Sequence, residues 1–280
     1  MHAGAGDSAE DRSVSDFASR LVVIAVGLPL VLGLVYAGGW PLWVLLTAVG
    51  FLALHEFYGM TRPLRPIVIA GYLGLALTLF AYQEGGFVWV VGGLFATVAL
   101  AFLLKGIAET RQSATVSVGC TVLGVAWIGI GLIGLMALRA IPHYGRTAAY
   151  AVLIAVWAGD SLAYVVGRLI GRHKLAPKIS PGKTWEGFVG GTAATIFATF
   201  IVLYEHRNTF LSIGQALLLG LALAAAAPLG DLFESLLKRD MGVKDSGRLL
   251  GGHGGVLDRI DAQLFAAIAG YYVILAFWQV

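Results

Sequence analysis

Charge is what this sequence has least of. Only 12% of its 280 residues are Asp, Glu, Lys or Arg, about half the share in an ordinary soluble domain. In the same chain 58% of residues are hydrophobic and the mean hydropathy is +0.83. That balance excludes a solvated globular domain and describes an integral membrane protein. Cysteine is nearly absent as well: Cys120 stands alone inside an apolar run, cannot close an intrachain disulfide, and is read as a small packing residue. Histidines are present but unclustered, since His55, His143, His173, His206 and His253 offer no pair at metal-ligand spacing. Zinc is therefore not expected, and His253 is assigned to a phosphate or loop contact. There is no fixed-period repeat and no low-complexity tail, so one membrane domain is the simplest organisation.

What the chain does have is long apolar runs. A helix needs about 20 apolar residues to cross a hydrocarbon core of roughly 30 Å. Runs near that length recur at Leu21–Gly38, Pro41–Tyr58, Ile67–Tyr82, Phe87–Leu104, Thr115–Leu138, Ala148–Ile170, Phe188–Tyr204, Ser212–Leu229 and Ala262–Gln279. The expected fold is all-α and polytopic, with about nine transmembrane helices and a cytoplasmic N-terminus. Residues 1–20 form a polar N-terminal segment. Residues 21–280 are expected to form a single membrane-embedded domain with cytoplasmic loops at 171–187 and 230–261. No small-residue cleavage pattern closes the first run, so Leu21 onward is read as a retained span rather than a signal peptide.

Basic residues support that topology. With nine spans and the N-terminus inside, only Arg139, Arg146 and Arg207 of the 19 Lys and Arg residues fall on the outer side, and the other 16 are cytoplasmic. The net charge of +3 and the pI near 9.0 thus reflect topology, and nucleic-acid binding is not expected. Glycine is abundant, at 38 residues, and Gly187-x-x-x-Gly191 has the spacing that lets membrane helices approach closely.

The few charges gather near the C-terminus. Asp231, Glu234, Ser235 and Lys238 follow three- and four-residue spacing and can share one helix face. Gly251, Gly252, Gly254 and Gly255 permit sharp turns or close approach to a ligand. Asp258 and Asp261 stand three apart at the mouth of the next span, and Lys244, Arg248 and His253 lie between the two acidic groups. A solvated connector does not require this mixture, whereas oxygen ligands for Mg²⁺ beside cations for phosphate oxygens do. Asp160 lies inside an apolar stretch, where an ionisable group needs a partner or a wet cavity. Ser161, Tyr164 and Arg168 after it favour a polar cleft open to the cytoplasm, against a helix-pairing aspartate.

These residues carry a resemblance. Ser235-x-Leu237-Lys238-Arg239, Lys244-Asp245-x-Gly247 and His253-Gly254-Gly255-Val256-x-Asp258-Arg259-Ile260-Asp261 resemble the signature of the phosphatidate cytidylyltransferases, or CDP-diacylglycerol synthases. Gly251 stands where proline is frequent in that family. Gly159-Asp160-Ser161-x-Ala163-Tyr164 with Gly167-Arg168, and Ile179-Ser180-Pro181-Gly182-Lys183-Thr184-x-Glu186-Gly187, resemble its preceding region, with Gly182 where some members have lysine. Before about Trp157 only the spans and His55-Glu56-Phe57 agree.

The resemblance implies the reaction CTP + phosphatidate → CDP-diacylglycerol + pyrophosphate, dependent on Mg²⁺ or another divalent metal. It points to Asp231 and Asp258 as the metal-binding carboxylates, with Asp261 and Glu234 auxiliary to them and Lys244 in the catalytic group. Lys238, Arg239, Arg248, His253, Arg259 and Asp160 are candidates for the triphosphate or lipid phosphate, and Ser180, Lys183, Thr184 and Glu186 for nucleotide contact. A homodimer in the bilayer, and the bacterial inner membrane with the site facing the cytoplasm, are expected by resemblance only. Two rival classes stay open. A lipid carrier or transporter would also suit Asp160 and glycine-rich spans. Another lipid-phosphate enzyme, such as a CTP-dependent kinase, would differ in its products. The Asp-Gly-x-x-Ala-Arg motif of CDP-alcohol phosphotransferases does not occur in the sequence.

Overall fold

The computed structural model describes residues 25–107, 113–247, 249 and 254–278. Among the described residues nine α-helices follow the apolar runs in order. They are α1 (Ala25–Ala37), α2 (Gly39–Met60), α3 (Val68–Gly85), α4 (Phe87–Ile107), α5 (Ala114–Ala140), α6 (Gly145–Ile170), α7 (Trp185–Leu203), α8 (Ile213–Asp240) and α9 (Leu257–Phe277). Seven of them, α2 and α4 to α9, are long and apolar enough to cross a membrane. Helix α1 is shorter over its described part, and α3 ends in the polar pair Gln83-Glu84. The polar segment 1–20 lies outside the described residues.

Helix α5 is the axis of the bundle. In its most apolar stretch 78% of residues are buried against the protein, compared with 22% in α4, whose exposed Trp89, Phe95 and Phe102 suit a lipid environment. Small residues let the axis form: a Cβ on Gly134 would lie 2.6 Å from the Ile268 backbone nitrogen of α9. The expected close approach at Gly187-x-x-x-Gly191 is also present, since Cβ atoms there would sit 2.6 Å from the Ala163 carbonyl oxygen and 2.8 Å from the Ala163 Cβ. This places α7 directly against α6. Threonine hydroxyls buried at such interfaces satisfy themselves on their own helix, as Thr195 does on the Gly191 carbonyl at 3.0 Å.

The structure corrects three boundaries. Segment 171–187 is not an irregular loop: Lys174–Ala176 (β1) and Ser180–Thr184 (β2) pair antiparallel, Lys174 opposite Thr184 and Ala176 opposite Ser180. The fold is therefore nearly, but not wholly, helical. Helix α7 starts at Trp185 rather than Phe188 because the Thr184 hydroxyl accepts from the Gly187 N–H at 3.1 Å and caps its first turn. Segment 230–261 begins helical, as the spacing of Asp231 to Lys238 predicts, with α8 running on to Asp240, and α9 begins at Leu257, so the connector proper is 241–256.

At the end of the bundle opposite the hairpin, the three arginines expected outside are engaged in structure. Arg139 donates to the Val35 carbonyl at 2.8 Å and the Tyr36 carbonyl at 3.0 Å, placing a cation on the last carbonyls of α1. Arg146 lies 4.6 Å from the centre of the Tyr36 ring, and Arg207 lies 4.3 Å from that of Tyr204.

Candidate active site

The helical continuation of α8 fixes the geometry of the site. Asp231, Glu234, Ser235 and Lys238 share one face, as their spacing predicts: the Ser235 hydroxyl donates to Asp231 at 3.3 Å, and the Lys238 ammonium donates to Glu234 at 3.0 Å. Pro228, one turn earlier, removes the N–H that would have bonded the Ala224 carbonyl. Gly230 permits the contact with α9, because a Cβ there would lie 3.2 Å from the Ala262 Cα.

Two groups of charges meet on this face. In the first, the Lys183 ammonium at the end of β2 lies 2.7 Å from Asp231, and Asp160 on α6 is close enough to interact with both. The Lys183 nitrogen is buried and has no hydrogen-bond partner among the described residues beside its ion pair with Asp231. In the second group Lys238 bridges Glu234 and Asp258, the latter at 2.6 Å. Asp258 also accepts from the Gly255 N–H at 2.8 Å and the Ser246 N–H at 3.1 Å. Asp261, buried on α9, meets the Glu234 carboxyl and also interacts with Asp231, so the two groups form one continuous cluster.

The cluster holds five carboxyl groups, at positions 160, 231, 234, 258 and 261, against two ammonium groups, at 183 and 238. One buried oxygen, Glu234 Oε1, has no hydrogen-bond partner among the described residues. Carboxyl groups thus outnumber ammonium groups in a partly buried setting, and two of them, Glu234 and Asp261, meet each other.

Other predicted residues have different placements. Thr184 and Glu186 are occupied within the hairpin: the Glu186 carboxylate accepts from the Arg172 N–H at 3.1 Å and lies 2.6 Å from the His173 ring. Ser180 is half-buried opposite Ala176. Arg239 ties the two cytoplasmic segments together, donating to the Ile179 carbonyl at 3.2 Å and the Val243 carbonyl at 3.4 Å. Lys244 is exposed and makes no side-chain hydrogen bond or ion pair among the described residues, because the chain turns Ser246 inward instead. Arg259 is exposed on the first turn of α9. Arg248 and His253 lie outside the described residues.

Sequence reasoning assigned no site role to two residues, Glu56 of the quoted His55-Glu56-Phe57 and Ser246. Glu56 on α2 is 4% exposed, and its carboxylate accepts from the Leu257 N–H at 2.8 Å and the Ser246 hydroxyl at 3.3 Å. An acid inside the apolar run Pro41–Tyr58 was the available signal. Ser246 had no signal beyond its place in the glycine-rich connector.

A sequence model described as "Cytidylyltransferase family" matches residues 18–277. The chain belongs to the cytidylyltransferase family. Among similar proteins, the phosphatidate cytidylyltransferase of Staphylococcus haemolyticus is 36% identical over 252 residues, covering 88% of this chain and 94% of the relative. That of Bacillus subtilis is 34% identical over 269 residues, covering 94% of this chain and 99% of the relative. That of Haemophilus influenzae is 34% identical over 248 residues, covering 80% and 85%. The match runs through the N-terminal half, where only the spans and His55-Glu56-Phe57 carried the resemblance.

Membership of the cytidylyltransferase family makes the fit to a divalent cation worth testing against the site. Among the described residues no three His, Cys, Asp or Glu side chains form a ready metal cage. Mg²⁺ does not demand one, since it usually takes one or two carboxylates, with water and substrate phosphate completing the shell. Oxygen donors, and more carboxyl than ammonium groups, fit such an ion.

Proposed function

We propose that the chain transfers a cytidylyl group from CTP to phosphatidate, forming CDP-diacylglycerol and releasing pyrophosphate. The observation that carries this reading is the cluster of five carboxyl and two ammonium groups where α6, α8, α9 and the hairpin converge on an apolar bundle. A polyanionic nucleotide and an anionic lipid need such a site, and the relatives' names supply the substrates.

The phosphatidate phosphate is a monoester with a second pKa near ~6, so its oxygen is largely ionised at neutral pH and needs no strong general base. That oxygen attacks the α-phosphorus of CTP. The new P–O bond forms as the bond to the β-phosphate oxygen breaks, and pyrophosphate leaves with the electron pair. Bringing two anions together is the main obstacle. Lys183 contributes by turning its spare donors to a phosphate oxygen, and Asp231 holds that ammonium in place. Lys238 holds Asp258 and Glu234 in register across the α8–α9 contact. Asp231 and Asp258 are the carboxylates assigned to Mg²⁺, with Asp261 and Glu234 behind them. When bound, the ion withdraws charge from the phosphate oxygens and the leaving pyrophosphate. Arg239 and Arg259, and Arg248 and His253 in the connector, are assigned to phosphate contact.

In this reading nine spans place the N-terminus, the hairpin and the 241–256 connector on the cytoplasmic side of a bacterial inner membrane, and the enzyme is a homodimer. The count of 16 cytoplasmic Lys and Arg residues out of 19 supports the orientation. The deciding experiment follows labelled CDP-diacylglycerol and pyrophosphate from CTP and phosphatidate in Mg²⁺-containing micelles, for the wild type, Asp231→Asn and Asp258→Asn. The expected result is stoichiometric pyrophosphate in the wild type and losses of at least about 100-fold in both folded variants. CDP without pyrophosphate would mean a kinase. A folded wild type that binds phosphatidate but makes no product would mean a carrier.

A further inference from the structure

One side chain of the first half of the chain, that of Glu56, bonds to the connector and to the start of α9. Glu56 is fixed on α2, which packs on the axial helix α5, yet its carboxylate bonds to residues 190 and 201 positions later. A single oxygen, Oε2, makes both bonds: it accepts from the Leu257 N–H at the start of α9 and from the Ser246 hydroxyl. The other oxygen, Oε1, is buried without a hydrogen-bond partner among the described residues. Leu257 opens α9, so Glu56 satisfies an N–H that the helix itself cannot. The carboxylate also lies at the positive end of the α9 dipole.

Backbone on both sides is shaped around this group. A Cβ on Gly255 would sit 2.5 Å from Glu56 Oε2, and one on Gly247 would overlap the same carboxylate. Two glycines of the connector are thus explained by approach to Glu56. Ser246 is the pivot: its hydroxyl bonds to Glu56, while its backbone N–H bonds to Asp258 at 3.1 Å. Ser246 thus links the Glu56 carboxylate to the Asp258 carboxylate, which Lys238 holds from the other side at 2.6 Å, and the Leu257 N–H ties Glu56 to the residue next to Asp258.

We infer that Glu56 is a positioning residue that clamps the 241–256 connector and the start of α9 onto the N-terminal half of the bundle and so orients Asp258 for the reaction. This rests on the reading of Asp258 given under Proposed function. The clamp works through an acceptor oxygen in a fixed place rather than through contact with substrate. Glutamine can supply that oxygen, whereas alanine cannot.

The test compares Glu56→Ala, Glu56→Gln, Ser246→Ala and the Glu56→Ala/Ser246→Ala pair with the wild type in detergent. Two readouts are taken: CTP kinetics, and the rate of tryptic cleavage after Lys244 in metal-free protein. Glu56→Ala is expected to lower kcat by about 10–100-fold with KM for CTP changed less than about 3-fold, as for residues that orient a ligand carboxylate. Cleavage after Lys244 should rise by about tenfold or more, because the connector opens without global unfolding. Glu56→Gln should stay within about 3-fold of wild type on both readouts. Ser246→Ala should share part of the loss, and the pair should fall little below Glu56→Ala alone. Unchanged cleavage in Glu56→Ala, a Glu56→Gln variant as impaired as Glu56→Ala, or fully additive losses would each overturn the clamp. If Glu56→Ala does not fold, wild-type kcat and cleavage in Ser246→Ala overturn it, and losses in both uphold it. An active Asp258→Asn would instead overturn the assignment of Asp258, leaving the cleavage result to decide the clamp by itself.

Discussion

Replacing Lys238 by methionine keeps most of the side-chain stem and removes the ammonium that lies 3.0 Å from Glu234 and 2.6 Å from Asp258. At an effective dielectric near ~20, each pair represents about 6 kcal/mol of Coulomb attraction. Withdrawing three charges from water costs several kcal/mol per ion, which offsets most of that attraction. The side chains of Lys238, Glu234 and Asp258 are only 11%, 0% and 12% exposed, so little screening by water relieves what remains. Deleting the shared cation leaves two buried carboxylates facing each other, a change expected to cost about 3–5 kcal/mol. Reversible unfolding in mixed micelles by added SDS measures it. A second substitution checks the cause: Glu234→Gln in the Lys238→Met background removes one uncompensated charge and should recover about 1–2 kcal/mol. A Lys238→Met protein within about 0.5 kcal/mol of wild type would refute the reasoning, as would further destabilisation by Glu234→Gln.

Gly134→Val forces branched carbon into the α9 backbone, where even a Cβ would lie 2.6 Å from Ile268 N, and should cost about 1–3 kcal/mol by the same unfolding assay. Arg139→Ala uncaps α1, losing charged hydrogen bonds of 2.8 and 3.0 Å to Val35 and Tyr36; a loss of about 1–3 kcal/mol is expected, with activity per folded molecule unchanged. Removing divalent cations with a chelator should abolish product formation while the unfolding midpoint shifts only slightly, because packed helices rather than a metal hold the bundle together. Activity that survives exhaustive chelation would remove Mg²⁺ from the mechanism.

Much of this protein was legible in its residues because hydropathy acts locally. A run long enough to cross a bilayer must satisfy its backbone within itself, so the helices follow the apolar runs whatever their neighbours do. The three- and four-residue spacing at Asp231, Glu234, Ser235 and Lys238 likewise needs only helical geometry to put them on one face, and the 28-residue α8 provides it. The 171–187 hairpin was less legible, because its short strands sit beside Pro181 and Gly182 and carry no long alternating pattern.

Composition and spacing by themselves determined the membrane class, the order of the helices and the region where chemistry gathers, since each depends on residues close together in the chain. Tertiary structure decided which charges face one another. Lys183 reaches Asp231 because β2 ends beside α8, and Lys244 is left outside while Ser246 turns inward. Glu56 joins Leu257 across 201 positions, a contact made where α2 and α9 pack against each other and against the same axial helix. Ion pairs and hydrogen bonds act over a few ångströms of space, and only the packing of the bundle brings distant residues within that range.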